Sequence, residues 1–210
     1  MITRVFDLCR RVARNQTAAS AAEFALVLPL LLLFIFGIID VGRLMWEWNR
    51  AEKATQMGVR FAAVTDIVPS GLAGYDFTTS PANVLQGNPV SPALFPGVHC
   101  TGTATTATCT CKGTCGFPLT SNATAFNNIV TRMRRVEGRI TPANVVIDYD
   151  YSGLGFAGNP YGPDVAPIIT VRIRDMEFES IVGQLFGGVI EKEGFASSLT
   201  LEDGTGSVSN

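Results

Sequence analysis

The residues best equipped for chemistry crowd into one short stretch: His99, Cys100, Cys109, Cys111 and Cys115. An even set of cysteines among Pro, Gly, Ser and Thr reads as a disulfide staple where the compartment is oxidising. Cys109 and Cys111, separated by one residue, are poor partners for each other. That leaves Cys100–Cys109 with Cys111–Cys115, or Cys100–Cys111 with Cys109–Cys115, and the sequence does not choose between them. The same side chains could ligate zinc, but their spacing is not that of paired CxxC knuckles. We expect disulfides, no metal and no cofactor. Cys9 stands apart, in a basic N-terminal segment.

Other candidate constellations are weaker. His99 is the only histidine, so a Ser-His-Asp or Cys-His nucleophile would depend on a side chain in a loop-like stretch. HExxH, GxSxG and P-loop motifs are absent from the sequence. Gly153-Leu154-Gly155-Phe156-Ala157-Gly158 matches GxGxxG, but Asn159-Pro160-Tyr161-Gly162-Pro163 follows it and cannot open the helix a dinucleotide site needs. We read it as a turn. Asp148, Asp150 and Asp164 lack EF-hand spacing and read as an exposed acidic loop. Arg132, Arg134, Arg135 and Arg139 read as a solvated helix face. With a net charge of −2, a nucleic-acid partner is not expected. No catalytic activity is expected.

The elements that position these residues begin with an anchor. Only 16% of residues are charged and 47% are hydrophobic, against about 25% charge in an ordinary soluble domain. Ala18 to Ile39 is apolar except for Ser20 and Glu23, and Phe24 to Ile39 carries no charge. About 20 such residues, rising 1.5 Å each, cross a hydrocarbon core of about 30 Å. Arg4, Arg10, Arg11 and Arg14 precede the span against Asp7 alone, whereas the charges from Asp40 to Lys53 nearly cancel. The positive-inside rule puts the N-terminus in the cytoplasm and the clustered cysteines outside. A cleaved secretory signal would need a small-x-small site after the apolar run. Asp40-Val41-Gly42-Arg43 is a poor one, and Trp46 and Trp48 read as an interfacial belt. Glu23 is the anomaly, because a carboxylate in a span costs roughly 2.5–3.5 kcal/mol at its centre.

The run Ala18-Ala19-Ser20-Ala21-Ala22-Glu23-Phe24-Ala25-Leu26-Val27-Leu28-Pro29-Leu30, followed by Phe36-Gly37-Ile38-Ile39-Asp40-Val41-Gly42-Arg43 and by Ala54 to Ala63, resembles the TadE-like family. These are pseudopilins of the tight-adherence (Tad, or Flp) pilus system. The resemblance also touches Ile140-Thr141-Pro142-Ala143-Asn144-Val145-Val146-Ile147. It implies that a prepilin peptidase cuts between Ala18 and Ala19, with Ala18 standing where the family pattern has Gly, and that Glu23 becomes the fifth mature residue. It further implies that Glu23, in the Glu23-Phe24 motif, accepts the terminal amine of a neighbouring subunit. In low dielectric each charge costs much less when paired. Other pilins or pseudopilins, pilus-assembly proteins and membrane lipid are the implied partners.

Beyond the membrane, Leu44, Met45, Trp48, Ala51, Ala54, Thr55, Val59 and Ala62 trace a helical stripe, and Thr65-Asp66 with Pro69 end it. Pro29 is expected to kink the helix locally. Pro69 to Thr120 reads as poor in regular structure and mobile unless tied down, with Thr101 to Thr108 nearly low-complexity. Phe126 to Val136 has helical spacing, Val145 to Tyr151 and Pro167 to Phe178 read as strands, Ile181 to Phe186 as a short helix and Phe195 to Leu201 as a last strand. The expected fold class is α+β: a long N-terminal transmembrane helix extending into a small antiparallel-sheet domain with a disulfide-bonded loop. Its expected parts are a cytoplasmic leader at 1–18, a transmembrane and stalk helix at 19–65, a Pro/Gly/Thr-rich cysteine loop region at 66–120, a small α+β domain at 121–203 and a tail at 204–210. The expected function is that of a minor pseudopilin of the bacterial inner membrane, serving pilus assembly and surface adherence. The alternatives are a tethered binding module unrelated to pili and a tethered metal or redox protein.

Overall fold

Ala, Leu, Met, Glu, Lys and Arg, the strong helix formers, dominate the sequence from Gln16 to Ala63, and a computed structural model of the protein shows one 48-residue helix there, α1. The structure describes residues 16–79, 81–186, 190–192 and 194–206. α1 starts three residues before the expected Ala19, since nothing between Gln16 and Ala19 breaks a helix, and it continues through Pro29. It is about 72 Å long at 1.5 Å per residue. At its end the Thr65 hydroxyl donates to the Phe61 carbonyl at 2.7 Å. The N–H groups of Glu202 and Asp203 donate to the Ala63 carbonyl at 2.9 and 3.1 Å. These bonds satisfy carbonyls that a helix end leaves orphaned.

After α1 come α2 (Ser70–Ala73), β1 (Val98–Gly102), β2 (Ala107–Cys111), α3 (Ala123–Arg134), a 3-10 turn at Pro142–Asn144, β3 (Val145–Asp150), β4 (Ile168–Ile173), β5 (Met176–Phe178), α4 (Ile181–Phe186), β6 (Ile190–Lys192) and β7 (Phe195–Thr200). The strands β2-β1-β3-β4-β7 form one antiparallel sheet in that order, and β5 pairs with β6 in a separate ribbon. The fold is α+β. The described chain divides into two compact units, one from Met1–Trp46 with Phe178–Ile190, the other from Glu47–Glu177 with Glu191–Asn210.

In the second unit, α1 from Glu47 onward and α3 cover one face of the five-stranded sheet. A Cβ placed on Gly58 would meet Met133 of α3 and Val171 of β4. Trp48 stacks edge-on to Phe195 of β7 with centroids 4.7 Å apart, and the Thr55 and Ser197 hydroxyls lie 2.9 Å apart. Phe126 of α3 packs over Gly102 of β1. Ala51, Ala54, Val59, Ile129, Met133, Ile147 and Ile169 are all buried in this core. The buried stripe runs Glu47, Ala51, Ala54, Thr55, Val59, Ala62; Met45, expected on it, is exposed, and Trp48 meets the sheet through Phe195 while still 40% exposed. α3 is capped by the Asn122 carboxamide oxygen, which accepts from Ala125 N–H at 3.0 Å.

Two expectations need correction. Residues 98–111, read as a cysteine loop, form the β1–β2 hairpin, and the threonine-rich run supplies its turn and second strand. Thr103 N–H donates to Thr106 O at 2.7 Å and the two hydroxyls lie 2.7 Å apart, so polar side chains close the turn locally. The stretches on either side of the hairpin add Tyr75, Phe77, Phe95 and Phe117 to the core, with neighbouring ring centroids 4.8–6.2 Å apart. Nor is the chain loose immediately after β7: Asp66 N–H donates to Gly206 O at 2.8 Å, and Gly206 N–H returns a bond to Asp66 Oδ1 at 2.7 Å. Gly153, Gly155 and Gly158 all have positive φ in a stretch that is neither helix nor strand, and no helix follows the GxGxxG match. A Cβ at Gly155 would approach the Asp164 carbonyl to 2.5 Å, so that position excludes every side chain.

Candidate functional site

The first unit presents an apolar helix left largely uncovered among the described residues. Phe24, Leu26, Val27, Leu30, Phe34 and Ile38 are all exposed. Only 6% of the most apolar window of α1 is buried, which separates it from a soluble core helix. It is long and apolar enough to cross a membrane. Glu23 is exposed at the N-terminal edge of this surface, directly before Phe24. Ala18 and Ala19 lie on the helical backbone of α1. Cys9 and the arginines of the leader lie outside the described residues.

At the other end of the apolar run sits Asp40, which is buried. Its carboxylate accepts from the Ser180 hydroxyl at 2.8 Å, from Ile181 N–H at 2.9 Å and from Val182 N–H at 2.8 Å. These donors surround the start of α4, so a side chain from one helix satisfies the orphan N–H groups of another. The Ser180 hydroxyl in turn accepts from Gly183 N–H at 2.7 Å. One turn along α1, the Arg43 guanidinium lies 3.5 Å from Asp40 Oδ1 and 5.5 Å from the centroid of the Phe178 ring.

Where α1 enters the second unit, charges are paired instead. Glu47 and Glu137, both buried, share Arg139. Burial disfavours the Arg139 cation, but hydrogen bonds and charge from Glu47 and Glu137 outweigh it and raise its pKa. Arg50 donates to the Val136 carbonyl through Nε at 2.8 Å and through an Nη at 2.6 Å. A cation thereby takes up a carbonyl just past the C-terminus of α3. Arg139 is itself exposed like Arg134 and Arg135, but its guanidinium ties two buried carboxylates together.

The disulfides are Cys100–Cys109 and Cys111–Cys115. Register decides the first: Cys100 and Cys109 face each other across β1 and β2 with Cα atoms 4.1 Å apart, whereas Cys111 faces Val98. Of the three aspartates read as an acidic loop, Asp148 and Asp164 are buried and serve different places. Asp164 accepts from the N–H groups of Phe77 and Asn159 at 2.8 and 2.9 Å, tying the aromatic cluster to the glycine-rich stretch. Asp148 lies on the helix-free face of the sheet with His99 Nδ1 at 2.9 Å, Lys112 Nζ at 3.0 Å and an Arg172 Nη at 3.0 Å. Burial raises its pKa, but the hydrogen bonds and charges of His99, Lys112 and Arg172 outweigh burial and leave it below the ordinary value. Asp150 shares Lys112 at 2.6 Å. Among the described residues no cluster of His, Cys, Asp and Glu is arranged to hold a metal ion.

Comparison with known families places residues 5–60 on the family model described as TadE-like protein. The chain carries a TadE-like N-terminal segment. Neither the curated proteins nor the solved structures contain a match. The TadE-like segment coincides with the apolar surface, Glu23, Asp40 and the start of the packed stripe. Sequence reasoning placed Glu23 and Phe24 on the exposed helix but treated Asp40 and Glu47 as ordinary flanking charges. For Asp40 one signal was available: it is the first charge after the apolar run, where an unpaired carboxylate is costly.

Proposed function

We propose that this protein is a minor pseudopilin of a Tad pilus, held in the bacterial inner membrane by α1 with its N-terminus in the cytoplasm and its sheet domain outside. The observation that carries this reading is the coincidence of the TadE-like segment with a helix whose apolar surface is left uncovered and starts at Glu23-Phe24. A prepilin peptidase removes the leader between Ala18 and Ala19. The freed amine of one subunit pairs with Glu23 of the next, and this pairing sets register as helices gather. Lipid and sister helices then cover the apolar face in turn. The protein performs no reaction of its own. Its contribution is mass action among membrane helices, and surface adherence follows from the pilus.

The test is to replace Glu23 in cells that make the pilus. Glu23→Ala should reach the membrane at least as well as the parent, because an apolar residue replaces a charged one. Surface pili and co-purified pilins should fall. Glu23→Gln should behave like Glu23→Ala, since it keeps hydrogen bonding and loses charge. Normal piliation in both variants would refute the pairing role, and an intact Met1 in the presence of active peptidase would refute processing.

A further inference from the structure

α4 belongs neither to the anchor nor to the sheet, yet its position is set with unusual definition. Three hydrogen bonds from residues 180–182 end on Asp40, so the start of α4 is held at the level of Asp40 along α1. In the anchor, Asp40 is the first charge after Phe24–Ile39 and so marks where hydrocarbon gives way to headgroups. A helix of six residues is about 9 Å long, so every residue of α4 lies within about 9 Å of that level whatever its direction. The headgroup layer of one leaflet is itself about 5–8 Å deep. α4 carries no charged residue. Ile181 and Val182 are half-buried and Leu185 is 64% exposed. A single exposed leucine would need no explanation. This one is fixed beside a surface that lipid must cover, for Ile38, Ile39, Val41 and Trp46 are exposed on α1 in the same unit and at the same levels.

Resting on the membrane-anchored reading above, we propose that α4 is an interfacial foot that lies in the headgroup–acyl boundary of the outer leaflet. Leu185 enters the lipid and Asp40 is the tie that holds the foot to the anchor. The occupant is lipid because the surface is continuous in level with the span, and apolar side chains on a short uncharged helix gain by entering that boundary. The foot sets the depth and rotation of α1. It thereby holds Glu23, 17 residues away and about 26 Å along the helix, at a defined depth in the opposite leaflet.

The experiment uses the full chain with Cys9→Ser, in which the two disulfides leave no native free thiol. Leu185→Cys, or in parallel Ile35→Cys within the span, is labelled with an environment-sensitive fluorophore. The protein is reconstituted in vesicles of phosphatidylethanolamine and phosphatidylglycerol. Each sample is quenched by lipids spin-labelled near the headgroup and, separately, by aqueous iodide. The foot predicts blue-shifted emission at Leu185→Cys, loss of signal with the shallow lipid quencher and little loss with iodide. Adding Asp40→Asn should make that probe iodide-accessible and leave Ile35→Cys unchanged. Iodide quenching at Leu185→Cys with a lipid-protected Ile35→Cys overturns the foot and leaves the anchor standing. Iodide quenching at both overturns the anchor itself. Protection from both quenchers together with crosslinking of Leu185→Cys to a second copy assigns the surface to a neighbouring subunit and also overturns the proposal.

Discussion

Gly58 offers a test of the packing between the TadE-like helix and the sheet domain, because two effects of opposite sign meet there. In a helix interior, Gly→Ala is ordinarily stabilising by about 1 kcal/mol. At Gly58 the added Cβ would lie 2.7 Å from Met133 Cγ, 2.9 Å from Met133 Sδ and 3.3 Å from Val171 Cγ1. Both neighbours are fully buried, so Met133 cannot swing into solvent to make room. Overpacking of this kind costs about 1–3 kcal/mol. Setting it against the propensity gain leaves Gly58→Ala destabilised by about 0–2 kcal/mol, where propensity alone predicts the reverse. Thermal unfolding of the full chain in mild detergent, followed by near-ultraviolet circular dichroism, should show the midpoint falling by about 2–4 °C per kcal/mol. Met133→Ala alone should cost about 2–5 kcal/mol through its cavity. The double variant should be better than the sum, because each change relieves the other, with a coupling of about 0.5–3 kcal/mol. A Gly58→Ala midpoint above the parent, with an additive double variant, would refute the close approach of α1 to α3 and β4.

Peptide mapping of unreduced protein should recover Cys100–Cys109 and Cys111–Cys115, and reduction of the first should cost about 2–3 kcal/mol by the chain-entropy argument for so short a loop. Crossed pairs or free thiols would contradict the hairpin register. Asp148 titrates below its ordinary 3.8 in the folded protein, so as pH falls the unfolded chain takes up that proton first. Its stabilisation is whole above about pH 5 and fades as pH falls through the folded pKa. The acid limb of a midpoint-versus-pH curve should therefore flatten in Asp148→Asn, and an unchanged limb would show that Lys112, Arg172 and His99 do not hold this carboxylate. Arg139→Met takes one cation away from the buried Glu47 and Glu137, with Arg50 still 3.5 Å from Glu137, and should lower stability by about 1–2 kcal/mol, less than for a fully buried pair because Arg139 is half exposed. The companion change Glu47→Gln in the same background should recover part of that loss.

Local signals in the sequence determined the elements whose cause is local. The apolar run after Ala18 reads as a span because length and composition alone meet the thickness of a bilayer. Helical and alternating periodicities located α1, α3, β3, α4 and β7 to within a few residues, since each element buries one face, whereas Pro167 to Phe178, read as one strand, breaks at Asp175, with φ of 54°, into β4 and β5 of different sheets. What depended on distant residues was not legible. Thr101 to Thr108 has no apolar alternation, and it becomes a hairpin because β3 offers β1 a partner and Cys100 bonds across to Cys109. The cysteines named themselves as a set, but their pairing needed the register that places Cys111 opposite Val98. Asp148 and Asp164 looked like exposed acids because a sequence shows a charge and not its partners; they are buried because Lys112, Arg172 and the Phe77 N–H arrive from other parts of the chain. Asp40 is the same case at the edge of the span. Its type and place were visible in the sequence, and only the return of residues 180–182 to α1 turned a flanking charge into a tie.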